Sequence, residues 1–99
     1  MLSLNSEVRH NLFVTVREAL NNSAKHSHAT ELWLRIHWRE NILRIIIEDN
    51  GCGFASQPTL AGGNGLANMR RRMEKIGGSF VCDTGPNSGT IYRLVLPFV

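Results

Sequence analysis

Two glycine-rich joints constrain this chain more than any other feature: Asp49-Asn50-Gly51-Cys52-Gly53-Phe54, directly after an apolar run, and Gly63-Asn64-Gly65-Leu66, directly before a helical pattern. A strand therefore ends at the first joint and a helix begins at the second. Glycine lets backbone come close to a ligand, and a helix N-terminus after a glycine pair offers unpaired N–H groups to phosphate. Strand, glycine turn, loop, glycine turn and helix in that order outline a nucleotide site. Either joint alone is more often a plain turn; their order and spacing together carry the reading.

Upstream, the apolar residues Val8, Leu12, Val16, Ala19 and Leu20, followed by Ser23 or Ala24, recur every three or four positions and predict a helix over residues 6–25. Ser3, Asn5 or Ser6 can cap it, and Ser27-His28 ends it. Residues four apart stack on a helix, so Glu18, Asn22 and His26 share a stripe with Asn21 and Lys25 beside it. In isolation such a flank is the ordinary outer face of a surface helix.

Residues 31–39 alternate, with Leu32, Leu34, Ile36 and Trp38 on one side and Trp33, Arg35, His37 and Arg39 on the other, which predicts a strand with one buried face. Glu40-Asn41 makes a tight connection, and residues 43–47 form a nearly continuous β-branched run, as in a strand buried on both faces or nearly so. The hairpin delivers Asp49 at the end of its second strand, where its side chain can floor a pocket. Residues 55–62 have no period and read as a mobile loop of the size used for lids.

Leu66, Met69, Met73 and Ile76 repeat at three and four, giving a second helix that ends at Gly77-Gly78, with both methionines read as core. Residues 79–83 and 90–96 read as strands around a turn at 85–89, the last stopped by Pro97. The sequence of elements predicts an α+β fold of two layers, a mixed sheet with helices on one face.

Ninety-nine residues with 42% apolar content support one globular domain, here read as a module of something larger. The apolar runs fall far short of the ~20 residues that cross a bilayer, and the start lacks the features of a signal peptide, so a cytoplasmic location is expected. Cys52 and Cys82 lie outside any C-x-x-C spacing and read as reduced thiols. The net charge of +3 comes largely from Arg70, Arg71, Arg72 and Lys75. These spread around a helix and lack an aromatic ladder, which argues against a nucleic-acid interface.

Arg17-Glu18-Ala19-Leu20-Asn21-Asn22-Ser23-Ala24-Lys25-His26, the two glycine joints (the second continuing as Ala67-Asn68-Met69-Arg70) and Gly89-Thr90 together resemble the ATP-binding catalytic domain of sensor histidine kinases, in the GHKL superfamily of ATPases. The first segment is similar to the family's N box, and the Lys-His ending, the short loop and Gly-Leu-x-Asn-Met-Arg are most similar to nitrate-sensor and thermosensor kinases.

The resemblance implies a two-layer α/β sandwich of the GHKL type that binds ATP and Mg²⁺. It implies that Asn22 is the protein ligand to Mg²⁺, where a neutral amide oxygen suits a hard ion already held by triphosphate oxygens. Glu18 is implied to orient a metal-bound water or assist proton transfer, and Lys25 and His26 to lie near phosphate. Asp49 is implied to accept a hydrogen bond from the adenine amino group, supported by Thr90, with Gly51 and Gly53 leaving room for the base. Gly63, Gly65 and Leu66 are implied to cradle phosphates at the helix start. The implied partners are a helical dimerisation domain of the same kinase, which carries the phosphorylated histidine, and a downstream response regulator. Competing readings are a serine kinase of anti-sigma-factor type and a non-catalytic interaction module.

The family's phosphoacceptor is a histidine followed by an acid. Here His10, His26, His28 and His37 precede Asn11, Ser27, Ala29 and Trp38. This departure predicts that the chain alone binds ATP and does not label itself. Incubation with γ-labelled ATP tests this, and acid-labile phosphohistidine on the isolated chain would contradict it.

Overall fold

The computed structural model describes residues 5–26, 28–51, 65–84 and 89–97. Helix α1 (Ser6–His26), strands β1 (Leu32–Arg39) and β2 (Ile42–Asp49), helix α2 (Gly65–Lys75) and strands β3 (Ser79–Thr84) and β4 (Thr90–Pro97) follow in that order. The loop expected at 55–62 and the turn residues 85–88 lie outside the described residues.

Helix α1 begins at Asn5, the one of the three candidate caps the chain uses. Its Oδ1 accepts the Val8 N–H at 2.8 Å and its carbonyl accepts the Arg9 N–H at 3.0 Å. Glu7 in the first turn complements the helix dipole. The inward face holds Leu12, Ala19 and Ser23, as the periodicity predicts, and also Asn11, Val14 and Thr15. The polar pair is tolerated there because each side chain bonds the helix's own backbone: Asn11 Nδ2 donates to the Glu7 carbonyl at 2.9 Å and Thr15 Oγ1 to the Asn11 carbonyl at 2.8 Å.

Helix α2 inserts Met69 and Met73 fully into the core, with Leu66 and Ile76 packed at its margin. Its end is a Schellman motif. Gly77 takes a φ of 86°, its N–H donates to the Glu74 carbonyl, and the Gly78 N–H donates to the Met73 carbonyl at 2.8 Å. Gly78 is also a packing requirement, since a Cβ there would stand 2.6 Å from the Val95 carbonyl oxygen.

The four strands form one sheet in the order β1-β2-β4-β3, antiparallel at each junction. The α+β class and the single helical layer agree with the sequence expectation; the sheet is antiparallel where a mixed one was expected. The reason is topological. Helix α2 carries the chain back so that β2 and β3 run the same way, as a helical crossover does, and β4 then inserts between them.

One face of this sheet is the core. Leu43, Ile45 and Ile47 of β2, Tyr92, Leu94 and Leu96 of β4, and Phe80 of β3 pack against Leu12, Ala19, Met69 and Met73. Strand β2 therefore alternates: Arg44 is exposed and Ile42, Ile46 and Glu48 are half-buried, because a two-layer fold leaves its second face uncovered. The expectation of burial on both faces fails for that reason.

Strand β1 departs further. Leu32, Leu34, Ile36 and Trp38 pair with Asp49, Ile47, Ile45 and Leu43, which puts them on the helix-covered side of the sheet, yet every residue of β1 is exposed. Helix α1 packs on β2 and α2 on β3, leaving β1 at the margin. The hairpin turn has both Glu40 and Asn41 at positive φ, 54° and 63°, the backbone of a type I′ turn without its usual glycine.

The contrast in burial between neighbouring strands makes a prediction. Ile47→Ala removes buried methyls and should cost about 2–5 kcal/mol, whereas Ile36→Ala, at a side chain 62% exposed, should fall within ~0.5 kcal/mol of the parent. Urea unfolding of the two variants measures both.

Candidate functional site

Strand β2 ends by carrying Asp49 to the point where α1, β2 and β4 meet. Its side chain is 3% exposed, and Thr90, the cross-strand partner of Asp49 in β4, is 1% exposed. A carboxylate so deeply placed is costly unless its oxygens find donors. Both do: Ser23 Oγ on α1 donates to Oδ2 at 2.5 Å, and the Gly51 N–H donates to Oδ1 at 2.9 Å.

The turn after Asp49 is held from two sides. The Gly89 N–H donates to the Gly51 carbonyl at 3.0 Å, with Gly89 at a φ of 76°. A Cβ on Gly89 would lie 2.3 Å from the Asp49 carbonyl oxygen, so only glycine lets β4 enter beside this turn. On the other side Asn50 Oδ1 accepts the N–H groups of Thr30 and Glu31, at 2.9 and 3.0 Å, and Nδ2 donates to Thr30 Oγ1. Thr90 Oγ1 lies 3.1 Å from Thr84 Oγ1, tying β4 to β3.

Asn22, beside Ser23, is 6% exposed. Its Nδ2 is buried without a partner at good hydrogen-bonding geometry among the described residues, although the amide lies near enough to Tyr92 to oppose the rise of the phenol's pKa. That pKa is driven well above its usual value, first by burial and then by the nearby Cys82 and Asp49. Burial, followed by the charges of Asp83 and Asp49, pushes the Cys82 thiol up to about 11.

The expected site residues thus separate. Asn22, Asp49, Gly51 and Thr90 converge where α1 meets the ends of β2 and β4. Glu18 and Lys25 are exposed on α1, so the stripe read from the sequence splits, with Asn22 turned toward the strands. His26 closes α1, Gly65 opens α2, and the half-buried Leu66 follows. Gly53 and Gly63 lie outside the described residues.

The sequence reading gave no site role to Ser23, Asn50 or Gly89, although all three stand in the segments that carry the resemblance. Ser23 was counted on the apolar face of α1; only the register of α1 on β2 reveals its partner. The first turn of α2 carries no acid, which suits an anion there. No three His, Cys, Asp or Glu among the described residues gather into a set able to hold a metal. A separate cleft between α1 and α2, lined by Asn11, Asn68, Arg71, Arg72 and Lys75, contains none of the expected site residues. Among the described residues no helix is long and apolar enough to cross a membrane.

The sequence model of the family described as histidine kinase-, DNA gyrase B-, and HSP90-like ATPase matches residues 7–99. The chain is 35% identical over 86 residues to the signal transduction histidine-protein kinase/phosphatase DegS of Brevibacillus brevis, covering 87% of this chain and 22% of that protein. It is 33% identical over 90 residues to the sensor protein VraS of Staphylococcus aureus, covering 91% of this chain and 26% of that protein. It thus spans about a quarter of the length of either relative. Among solved structures, the ATP binding domain of PrrB from Mycobacterium tuberculosis superposes with a TM-score of 0.74 at 26% identity, over 93% of this chain and 70% of that one. The histidine kinase domain of the Erythrobacter litoralis EL346 blue-light activated histidine kinase gives 0.76 at 23% identity over 92% and 45%, a likeness of fold.

The raised pKa values of Tyr92 and Cys82 mean that the folded state holds their protons more tightly than the unfolded chain. Their contribution is complete below the unfolded values, 9.0 for Cys82 and 10.0 for Tyr92, and is lost as pH rises toward the folded ones. The urea midpoint should therefore fall from pH 9 upward. Tyr92→Phe should lose less between pH 8 and pH 10.5 than the parent does.

Proposed function

The chain belongs to the histidine kinase-, DNA gyrase B-, and HSP90-like ATPase family, and from that premise we propose that it binds ATP with Mg²⁺ and presents the γ-phosphate to a histidine on a separate helical dimerisation domain of a sensor kinase. Phosphate would then pass to a response regulator, and the chain would act as the catalytic part of a longer protein. The observation that carries this reading is Asp49: a buried carboxylate at a strand end, its plane held by two donors, opposite a buried threonine. An acceptor so placed suits adenine, whose exocyclic amino group donates, and rejects guanine, which presents an acceptor at that position.

The remaining residues fit a triphosphate. Asn22 sits one residue before the serine that holds Asp49, and the oxygen of its buried amide suits a single protein ligand to Mg²⁺. When bound, that ion neutralises charge on the phosphate oxygens. Glu18 and Lys25, exposed on the same helix, have the freedom to reach water or phosphate at its rim. Helix α2 starts at Gly65, so its first N–H groups are available for phosphate oxygens. Phosphoryl transfer asks the protein mainly for positioning and charge neutralisation, which backbone donors and one amide can supply.

Calorimetric titration tests the assignment. Asp49→Ala should weaken ATP binding by about 10–100-fold, the worth of a hydrogen bond to a charged acceptor. Asn22→Ala should lose the enhancement of ATP affinity by Mg²⁺ and keep adenosine affinity. A folded Asp49→Ala variant that binds ATP like the parent would sink the reading, and equal loss of adenosine and ATP in Asn22→Ala would remove Asn22 from the metal.

A further inference from the structure

The geometry points to Ser23 as a positioning residue for base recognition: its hydroxyl holds Asp49 in the orientation that selects a purine bearing a 6-amino group. This inference rests on the reading of Asp49 as the adenine acceptor.

A carboxylate has about four lone-pair directions and no proton to give. The contact between Ser23 Oγ and Asp49 Oδ2, at 2.5 Å, therefore runs from the hydroxyl to the carboxylate. The Gly51 N–H takes a direction on Oδ1. One donor alone leaves the carboxylate free to turn about its last torsion, which in aspartate is broad and weakly restrained. Two donors, one from α1 and one from the turn that follows β2, fix the plane. Each oxygen keeps one lone-pair direction in a fixed place, and a ligand donor meets it without a cost of ordering.

Water is a poor substitute for the serine. Ser23 is 1% exposed and Asp49 3%, so loss of the hydroxyl leaves one carboxylate oxygen without its helix donor in a place solvent barely reaches. Ser23 also follows Asn22 directly in α1. The same turn of helix thus carries the group proposed to meet Mg²⁺ and the group that sets the base acceptor, so the two ends of the nucleotide are held to one rigid element.

The test uses ATP and purine riboside triphosphate, which lacks the 6-amino group, each titrated into the parent chain, Ser23→Ala and Ser23→Cys. Alanine is the best helix former, and cysteine keeps the side chain's place with a much weaker donor, so a failure of one variant to fold leaves the other to decide. The parent should prefer ATP by about tenfold or more. In either variant the preference should fall to within about threefold, chiefly through loss of ATP affinity. A merely structural role for Ser23 would weaken both nucleotides together and leave the ratio intact, and that result overturns the proposal, as does a variant that matches the parent. A parent that fails to distinguish the two nucleotides would instead remove the reading of Asp49 itself, and this inference with it.

Discussion

A buried carboxylate must be answered by donors, and the answer to Asp49 fixes how the elements of this fold meet. Ser23 supplies one donor from α1 and Gly51 the other from the turn after β2. The first sets the rotation and height of α1 over the sheet. The second curls the chain after β2 so that Gly89 can bond it from the start of β4. Removing one partner of such a set costs more than the pair contributes, because the remaining charge stays out of water. The local demand for hydrogen bonds and the global register are therefore the same constraint.

The rest of the sheet follows from having one covered face. Core side chains alternate strictly along β2 and β4, with Ile47, Tyr92 and Leu94 inward and Arg44 and Arg93 outward. On the outer face charge is handled by short-range pairing: Arg35 bonds Glu48 across β1 and β2, and Arg93 bonds Asp83 across β4 and β3. Such exposed pairs add little stability. They do mark which side of each strand faces water, and they leave the site, on the opposite side at the strand ends, with Asp49 as its buried acid.

Much of this was legible in the amino acids. The 3.6-residue period of α1, the Met69 and Met73 stripe of α2 and the glycine ends are local signals, and each element lies within a residue or two of where they put it. The place of Asp49 at the end of β2 followed from the hairpin, whereas Asn22 was singled out only by resemblance to the N box, since by itself its helix flank reads as a solvated face. What failed was non-local. Alternation in β1 announced an apolar face, but whether a helix covers that face depends on where two other elements pack. The sheet's antiparallel character depends on β4 entering between β2 and β3, which nothing in the residues of either strand specifies. Ser23 read as a small residue on an apolar stripe, since its partner is 26 positions away. Each miss concerns a partner that only the tertiary register brings near.

Strand β4 follows every other element in the chain and yet lies inside the sheet, between β2 and β3. During synthesis the helices and the β1–β2 hairpin emerge first, and until residues 90–97 are free of the ribosome β3 has no strand to pair with. A lone hairpin is marginal in water, and pairing between strands distant in sequence closes slowly. The nascent chain must therefore hold Ile45, Ile47 and Met73 without their β4 neighbours until β4 arrives. Closure of the sheet therefore waits for β4, and Asp49 acquires its enclosed surroundings only in that step.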